Sequence, residues 1–410
     1  MDRIIEQFMN LMRESMGMPG YITDYAGCDW NRMLRLSFMN KEAVLFDNVI
    51  NDKADVYAID QDTRQKWDEL AYRDFFCTTL QLSAVADVLN QFNEKGITAI
   101  VLKGIVLSAL YPEATMRPFN DLDIKLSPED RDNVRQILEQ MGFEIQKEQC
   151  KNNVDIYRSS SLMIEAHFTL WEDYGGHNVE VLRNEKLDAA PSLIRIEAFG
   201  CNIITLGVTQ HLILQMFHIA KHFMVEGIEA RYFLDITLFV QKYHNQIDFD
   251  YFWNVMKKLS FEDFTVIYFS ECIKWFDMPQ EALLNRRKAF PADENAFLKD
   301  IIFVGKQNPD DRINFNLLGI LAPYVNGEKH VARSKKGRAL QAIFPSVSEI
   351  GENYAYCWKH RWLLPAAWFH RIGHALVLKA FHRNEVYGAG EKIAAAEYRI
   401  NMMQNAGLLK

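Results

Sequence analysis

The sequence predicts an α+β fold: a small mixed β-sheet core flanked by N-terminal and C-terminal helical regions. Three observations carry that expectation. Residues 1–90 place apolar side chains at helical spacing, residues between 97 and 206 fall into short β-rich runs broken by turns, and helical spacing returns after Gly207. The implied organisation is an N-terminal helical region over 1–90 and an α/β core over 91–207. A helical domain over 208–325 is expected to form the other wall of a cleft, with a basic loop and C-terminal helical extension over 326–410.

The elements follow in order. Phe75, Leu80, Leu82, Val85, Val88, Leu89 and Phe92 recur at i, i+3 and i+4 and close at Lys95-Gly96, as a helix end should. Ile97–Leu102 reads as a strand, followed by Lys103-Gly104 and a helical turn through Leu110. Two prolines make Tyr111–Asn120 a loop, and the alternation of Asp121–Leu126 reads as a strand. Ser127-Pro128-Glu129-Asp130 starts a helix, with proline at its first position and acids in its first turn, that runs to Met141 and stops at Gly142. Strands are expected near 143–147, 154–159 and 162–170, and a hairpin over 194–206 turning at Phe199-Gly200. Thr209 is expected to cap a helix through Phe223, with further helices near 229–243, 249–259, 261–276 and 294–305. Asn326–Arg338 reads as a polar, basic loop.

The bulk numbers exclude little but orient the reading. The chain has 410 residues, 49% hydrophobic and 24% charged, with a net charge of −8. A protein that grips nucleic acid through its phosphates usually carries a basic excess, so nucleic acid is the less favoured partner. The six cysteines, Cys28, Cys77, Cys150, Cys201, Cys272 and Cys357, form no CxxC pair and read as reduced thiols of a cytoplasmic protein. The N-terminus alternates charge with apolar residues, unlike a secretory leader, and no membrane span is expected.

The stretch VLKGIVLSALYPEATMRPFNDLDIKL, residues 101–126, carries the chemistry. Asp121 and Asp123 stand two apart on a strand, so both side chains leave one face while Leu122, Ile124 and Leu126 point to a core. Two neighbouring carboxylates call for a cation, and Mg2+ (or Mn2+) suits them because it takes oxygen ligands and keeps positions open for phosphates. Gly104, between strand and helix, would let a phosphate approach the backbone, with Lys103 and Arg117 supplying positive charge. A third carboxylate is expected on a neighbouring strand: Glu165 in LMIEAHFTL is preferred, because its strand is longer and more apolar, and Asp155 in VDIY is the competitor. Such an acid serves two-metal phosphoryl transfer as a metal ligand or as base toward an acceptor hydroxyl.

These residues resemble the uncharacterised nucleotidyltransferase family, a branch of the DNA polymerase beta-like superfamily with an LKG…YP…R…DxDxL-type signature. Here it stands as Leu102-Lys103-Gly104, Tyr111-Pro112, Arg117-Pro118 and Asp121-Leu122-Asp123-Ile124. The strand bearing Glu165 and His167, and the later His218, His222 and Asp235, are also similar to that family. The likeness is specific over about 97–240, with the FPS…Y…LLP segment near 344–365 reminiscent too. The resemblance implies a nucleotidyltransferase fold, a divalent metal held by Asp121, Asp123 and Glu165, and a nucleoside triphosphate, ATP first. It implies transfer of a nucleoside monophosphate to a hydroxyl of a small molecule or protein, with pyrophosphate release. The superfamily usually carries Gly-Ser or Gly-Gly at the phosphate turn. Lys103-Gly104-Ile105 offers no hydroxyl there, which keeps a nucleotide-binding or regulatory module on the same fold as the alternative.

Other signals weigh less. His211, His218 and His222 share a helical face, but the HExxH glutamate of a zinc helix is absent, since Ile219 follows His218. A partly buried histidine row is the base expectation, and His167, His218, Lys221, His222 and Asp235 are carried as candidate cleft-lining residues. The run Lys329–Arg338 is the densest basic segment and is expected to be a solvated loop or a closure over an anionic substrate.

Overall fold

The computed structural model describes residues 2–18, 25–147, 153–171, 177–288, 293–305, 321, 356–370 and 389–409. The N-terminal apolar periodicity folds into α1 (Arg3–Ser15), α2 (Trp30–Asn40), α3 (Ala43–Lys53) and α4 (Gln61–Glu94). Asp2, Asp29 and Asp60 cap three of these helices, each accepting from a backbone N–H of the first turn, where free donors would otherwise go unsatisfied.

Only part of the expected apolar stripe on α4 is core. Val85, Val88, Leu89 and Phe92 are buried, whereas Phe75 is 47% exposed and Leu80 45%. The helix has 34 residues, about 51 Å at 1.5 Å per residue, and joins two layers. Thr63, Trp67 and Ala71 are buried at its N-terminal end and Val85 to Phe92 at its C-terminal end, leaving its middle less covered than the spacing suggests.

The central unit runs β1 (Ile100–Val101), α5 (Gly104–Ser108), β2 (Asp121–Lys125), α6 (Arg131–Gln140), β3 (Glu144–Ile145), β4 (Val154–Arg158), β5 (Met163–His167), α7 (His177–Glu185), β6 (Leu193–Ala198) and β7 (Cys201–Leu206). The seven strands form one mixed sheet in the order β3-β4-β5-β2-β1-β7-β6, with β2 in the middle. It pairs parallel with β5 and antiparallel with β1. The β6–β7 hairpin turns at Phe199 and Gly200, both at positive φ (56° and 73°), the geometry whose twist matches the flanking strands. The helix α7 carries too weak a pattern to be expected from sequence.

The two faces of the sheet pack differently. Leu122, Ile124, Ile164 and Ala166 join Val101 and Ile203 against α4 and α6 in one apolar core. The opposite face, with Ile100, Leu102 and Leu206, joins a larger core shared by the N-terminal helices and those after 207. These later helices are α8 (Val208–Val225), α9 (Arg231–Tyr243), α10 (Phe249–Lys258), α11 (Glu262–Phe276), α12 (Glu294–Ile302), α13 (Tyr356–Lys359) and α14 (Ala389–Asn405). The expected cap at Thr209 is corrected: Gly207 precedes the first turn of α8 and Thr209 lies inside it, its hydroxyl accepting from the Asp248 N–H at 2.9 Å. Near the C-terminus, Arg399 pairs with buried Asp300 at 2.5 Å and donates to the Phe223 carbonyl, fixing α14 on α8.

Among the described residues no helix is long and apolar enough to cross a membrane. Cys201, Cys272 and Cys357 are buried free thiols, Cys28 is half-buried and Cys77 exposed. Cys150, the Asn326–Arg338 loop with its basic run Lys329–Arg338, and residues 344–355 of the FPS…LLP segment lie outside the described residues.

Candidate active site

Strand alternation on β2 sends Leu122 and Ile124 into the core and leaves Asp121, Asp123 and Lys125 on the other face. The parallel register with β5 sets Glu165 opposite Asp123 and His167 opposite Lys125. His167 Nε2 lies 3.1 Å from Asp123 Oδ1 and 3.5 Å from Glu165 Oε2. One ligand atom each from Asp123, Glu165 and His167 fall within 4.8 Å of one another, the one such group of three among the described residues.

Lys103 enters from the turn between β1 and α5, its Nζ donating to the same Asp123 Oδ1 at 3.0 Å. Its backbone stands at φ 52°, ψ −119°, a region that side chains rarely adopt. Burial alone would lower the Lys103 pKa, but Asp123, Asp121 and Glu165 outweigh it and pull the value up. Burial would likewise raise Asp123, yet Lys103 and His167 hold its carboxyl well below the usual range. For Asp121, burial and then the charges of Asp123 and Glu165 act together, raising it to about 6. Burial opposes the charge on His167, and hydrogen bonds to Asp123 and Glu165 overcome it, so its pKa is raised.

The competing Asp155 is on the other face of the sheet. It opposes Ala166 in the ladder and is held bidentately by Arg131, at 2.5 and 2.9 Å. The structure therefore brings Glu165, not Asp155, to the β2 acids.

Gly104, Arg117 and Asp235 take a structural arrangement that the sequence did not reveal. Arg117 is buried and grips Asp235 with Nε and Nη2 at 2.6 and 2.7 Å, while Nη1 donates to the Gly104 carbonyl at 3.1 Å. A Cβ on Gly104 would stand 3.1 Å from that same Nη1, so the glycine lets Arg117 approach. Tyr111 completes the cluster by donating to Asp235 Oδ1 at 2.9 Å. Arg117 is thus committed to Asp235 rather than placed as a loose phosphate contact, and Asp235, 1% exposed, is core rather than cleft lining.

The histidines of α8 divide. His211 is buried beside Gln215 (Nε2 to Nε2, 3.1 Å), and burial lowers its pKa to about 3. The rings of His218 and His222 lie against each other at a tilt of 56°, centroids 4.2 Å apart, and His222 pairs with Glu226. Burial, reinforced by His222, Lys103 and Lys221, drives His218 well below the ordinary histidine value. The contacts of His218 are its neighbour His222 and the ring of Tyr232, 6.2 Å away edge-on.

A second set of charges escaped the sequence altogether. Lys41 pairs with Glu229 at 3.1 Å, and Arg231 pairs with Glu229 and donates to the Pro118 carbonyl. Glu42 is buried among them, and burial, reinforced by Asp235 and Glu229 against Arg231, holds its carboxyl far above the usual range. No motif links residues 41–42 to 229–235, which is why only the fold reveals them.

The donors Asp123, Glu165 and His167 fit a divalent cation. Ligands about 2.1 Å from such an ion stand up to about 4.2 Å apart, close to the observed spread, and the carboxylates supply hard oxygens. An imidazole among them suits Mn2+ at least as well as Mg2+.

The sheet and its central acidic strand lie within the stretch that a family model matches. The family model described as "Uncharacterised nucleotidyltransferase" matches residues 26–277, more than half of the chain, and the chain belongs to that family. No curated protein matches. Among solved structures, an antigenic nucleotidyltransferase-like protein from Paracoccidioides brasiliensis is similar at 14% identity, covering 51% of this chain and 94% of that one with a TM-score of 0.31.

Proposed function

We propose that the chain transfers a nucleoside monophosphate from a nucleoside triphosphate, ATP first, to a hydroxyl acceptor. One observation carries the reading: Asp121, Asp123, Glu165 and His167 meet on one face of two parallel strands, in a chain of a nucleotidyltransferase family. Asp123 and Glu165 would hold a divalent cation, with Asp121 as the further carboxylate and His167 as a ligand or as the group that orients Asp123. Bound there, a cation of this kind screens phosphate charge and stabilises the attacking and leaving oxygens. The acceptor oxygen forms a bond to the α-phosphorus, the bond from that phosphorus to the bridging oxygen breaks, and pyrophosphate leaves. Glu165 takes the hydroxyl proton. Lys103 supplies the ammonium nearest the site to the phosphates. His218, held neutral by burial, is able to hydrogen-bond without adding charge.

The test is calorimetric titration of Mn2+ or Mg2+ with a non-hydrolysable ATP analogue, alongside an assay of pyrophosphate release. Asp121→Asn/Asp123→Asn should abolish metal-dependent nucleotide binding and lower turnover by about 10²-fold or more. Undiminished turnover in this variant would remove the assignment. The placement of the Lys103 ammonium on Asp123 favours a second reading, a nucleotide-binding module without transfer. Metal-dependent binding with no pyrophosphate release across acceptors would select it.

A further inference from the structure

We propose that the cavity beyond the C-terminal ends of β2 and β5 is the acceptor subsite, and that it takes a small hydroxylated anion, a sugar phosphate or sugar acid. The proposal rests on the nucleotidyl-transfer reading above for its name, but the site stands on its own geometry. The cavity holds about 310 Å³, and its lining includes Lys125, Phe168, Trp171, Arg183, Lys186 and Asp188. A space at the small end of ligand pockets suits a compact molecule rather than a protein segment or nucleic acid strand.

Its charge runs against that of the molecule. Among the described residues, three of the eight that line the cavity are cationic and one is acidic, on a chain whose net charge is −8. Lys125 and Asp188 stand 3.3 Å apart, and Lys186 is exposed at the mouth. A local excess of positive charge in a concave, partly desolvated space concentrates anions. Phe168 and Trp171 are nearly buried, and Trp171 packs edge-on against Phe217, so the inner wall is fixed and apolar. The end of α7 that carries Arg183 and leads into Lys186 is anchored as well, because Glu185 accepts from Tyr251 at 3.0 Å and pairs with Lys258 at 2.6 Å.

Position supplies the link to the acids. Lys125 follows Asp123 by two residues on the same face of β2, about 6.6 Å along the strand, and His167 opposes it on β5. An anionic group held by Lys125 and Lys186 therefore leaves a hydroxyl at the other end of a molecule about 7 Å long beside Asp123 and Glu165. Nucleotide phosphates would lie toward Lys103, on the opposite side of the same acids.

The test uses the full chain and three probes: ribose 5-phosphate, gluconate and uncharged ribose. Each is titrated calorimetrically without nucleotide into wild type, Arg183→Ala and Lys186→Glu. Wild type should bind a charged probe at least tenfold more tightly than ribose, and both variants should lose that preference. Ribose 5-phosphate binding better than gluconate, or the reverse, identifies the anionic group. A parallel titration with Mn2+ and the ATP analogue should show nucleotide affinity within about twofold of wild type in both variants. Absence of charged-probe binding, or equal binding of ribose, overturns the proposal. Loss of nucleotide binding in the variants also overturns it, since the cavity would then hold the nucleotide. If the charged probe binds at the cavity while wild type fails to bind nucleotide, the anion site stands and the transferase reading falls.

Discussion

Asp123 carries two donors on a single oxygen, Lys103 at 3.0 Å and His167 at 3.1 Å, while Asp121, two residues away, is raised to about 6. Neighbouring carboxylates pushed apart in this way take different protonation states as the pH falls, so the less shielded one gains its proton first. A quieter residue gives a cleaner pH signature. His211 is fully buried, and burial lowers its pKa to about 3 from an ordinary value of 6.5. The unfolded chain therefore binds a proton near pH 6.5 that the native state refuses until about pH 3. The stability linked to His211 is complete above pH 6.5 and is lost as the pH falls through that window, at no more than about 1.4 kcal/mol per pH unit. Urea denaturation of wild type and His211→Gln from pH 7 to 5 should show a shallower decline in the variant. Identical slopes would mean that His211 accepts its proton without opening the fold.

At the level of elements, the loop before β2 is fastened to α9 by the buried pair of Arg117 and Asp235, with Tyr111 and the Gly104 carbonyl filling the remaining hydrogen bonds. Removing one partner strands the other charge, so Arg117→Ala and Asp235→Ala should each cost about 3–5 kcal/mol. The double variant should cost clearly less than the sum, which a double-mutant cycle in denaturant would read. Additive losses would mean that the two residues act separately. This contact spans 118 residues and leaves no local pattern, so the sequence offered Arg117 to phosphate and Asp235 to the cleft instead. By contrast, β2 and β5 were legible because DLDIK and MIEAH alternate with period two, and the parallel register then brings Glu165 to Asp123. His167 was legible as a neighbour of Glu165, although not as a partner of Asp123, because strand pairing is not written in either strand alone. On α4 the apolar spacing of Phe75 and Leu80 misled, since periodicity says which face residues share and not whether anything covers it.

On the scale of the whole molecule, one apolar core runs from Ile4 through Leu206 to Ala406, so the helices before the sheet and those after it bury the same face. The expected division at 91 and 207 would cut through that face. A fragment of residues 91–207 would expose Ile100, Leu102 and Leu206 while keeping Val101, Leu122 and Ile164 covered mainly by α6, since the C-terminal end of α4 is split from its first half. Such a patch favours self-association. We expect the fragment to elute as aggregate in size-exclusion chromatography and to lack near-ultraviolet circular dichroism, whereas a monodisperse folded fragment would show the sheet to be an independent unit. The full chain, with its helices joined in one core, should unfold around the sheet rather than shed it.

The backbone of Lys103 has an evolutionary corollary. At φ 52°, ψ −119° glycine is the comfortable occupant, and another residue gives up on the order of 1–3 kcal/mol to sit there. Selection for thermal robustness alone would drive position 103 toward glycine and erase the ammonium beside Asp123. A lysine at this turn is the kind of compromise expected where chemistry and durability pull a single residue in opposite directions.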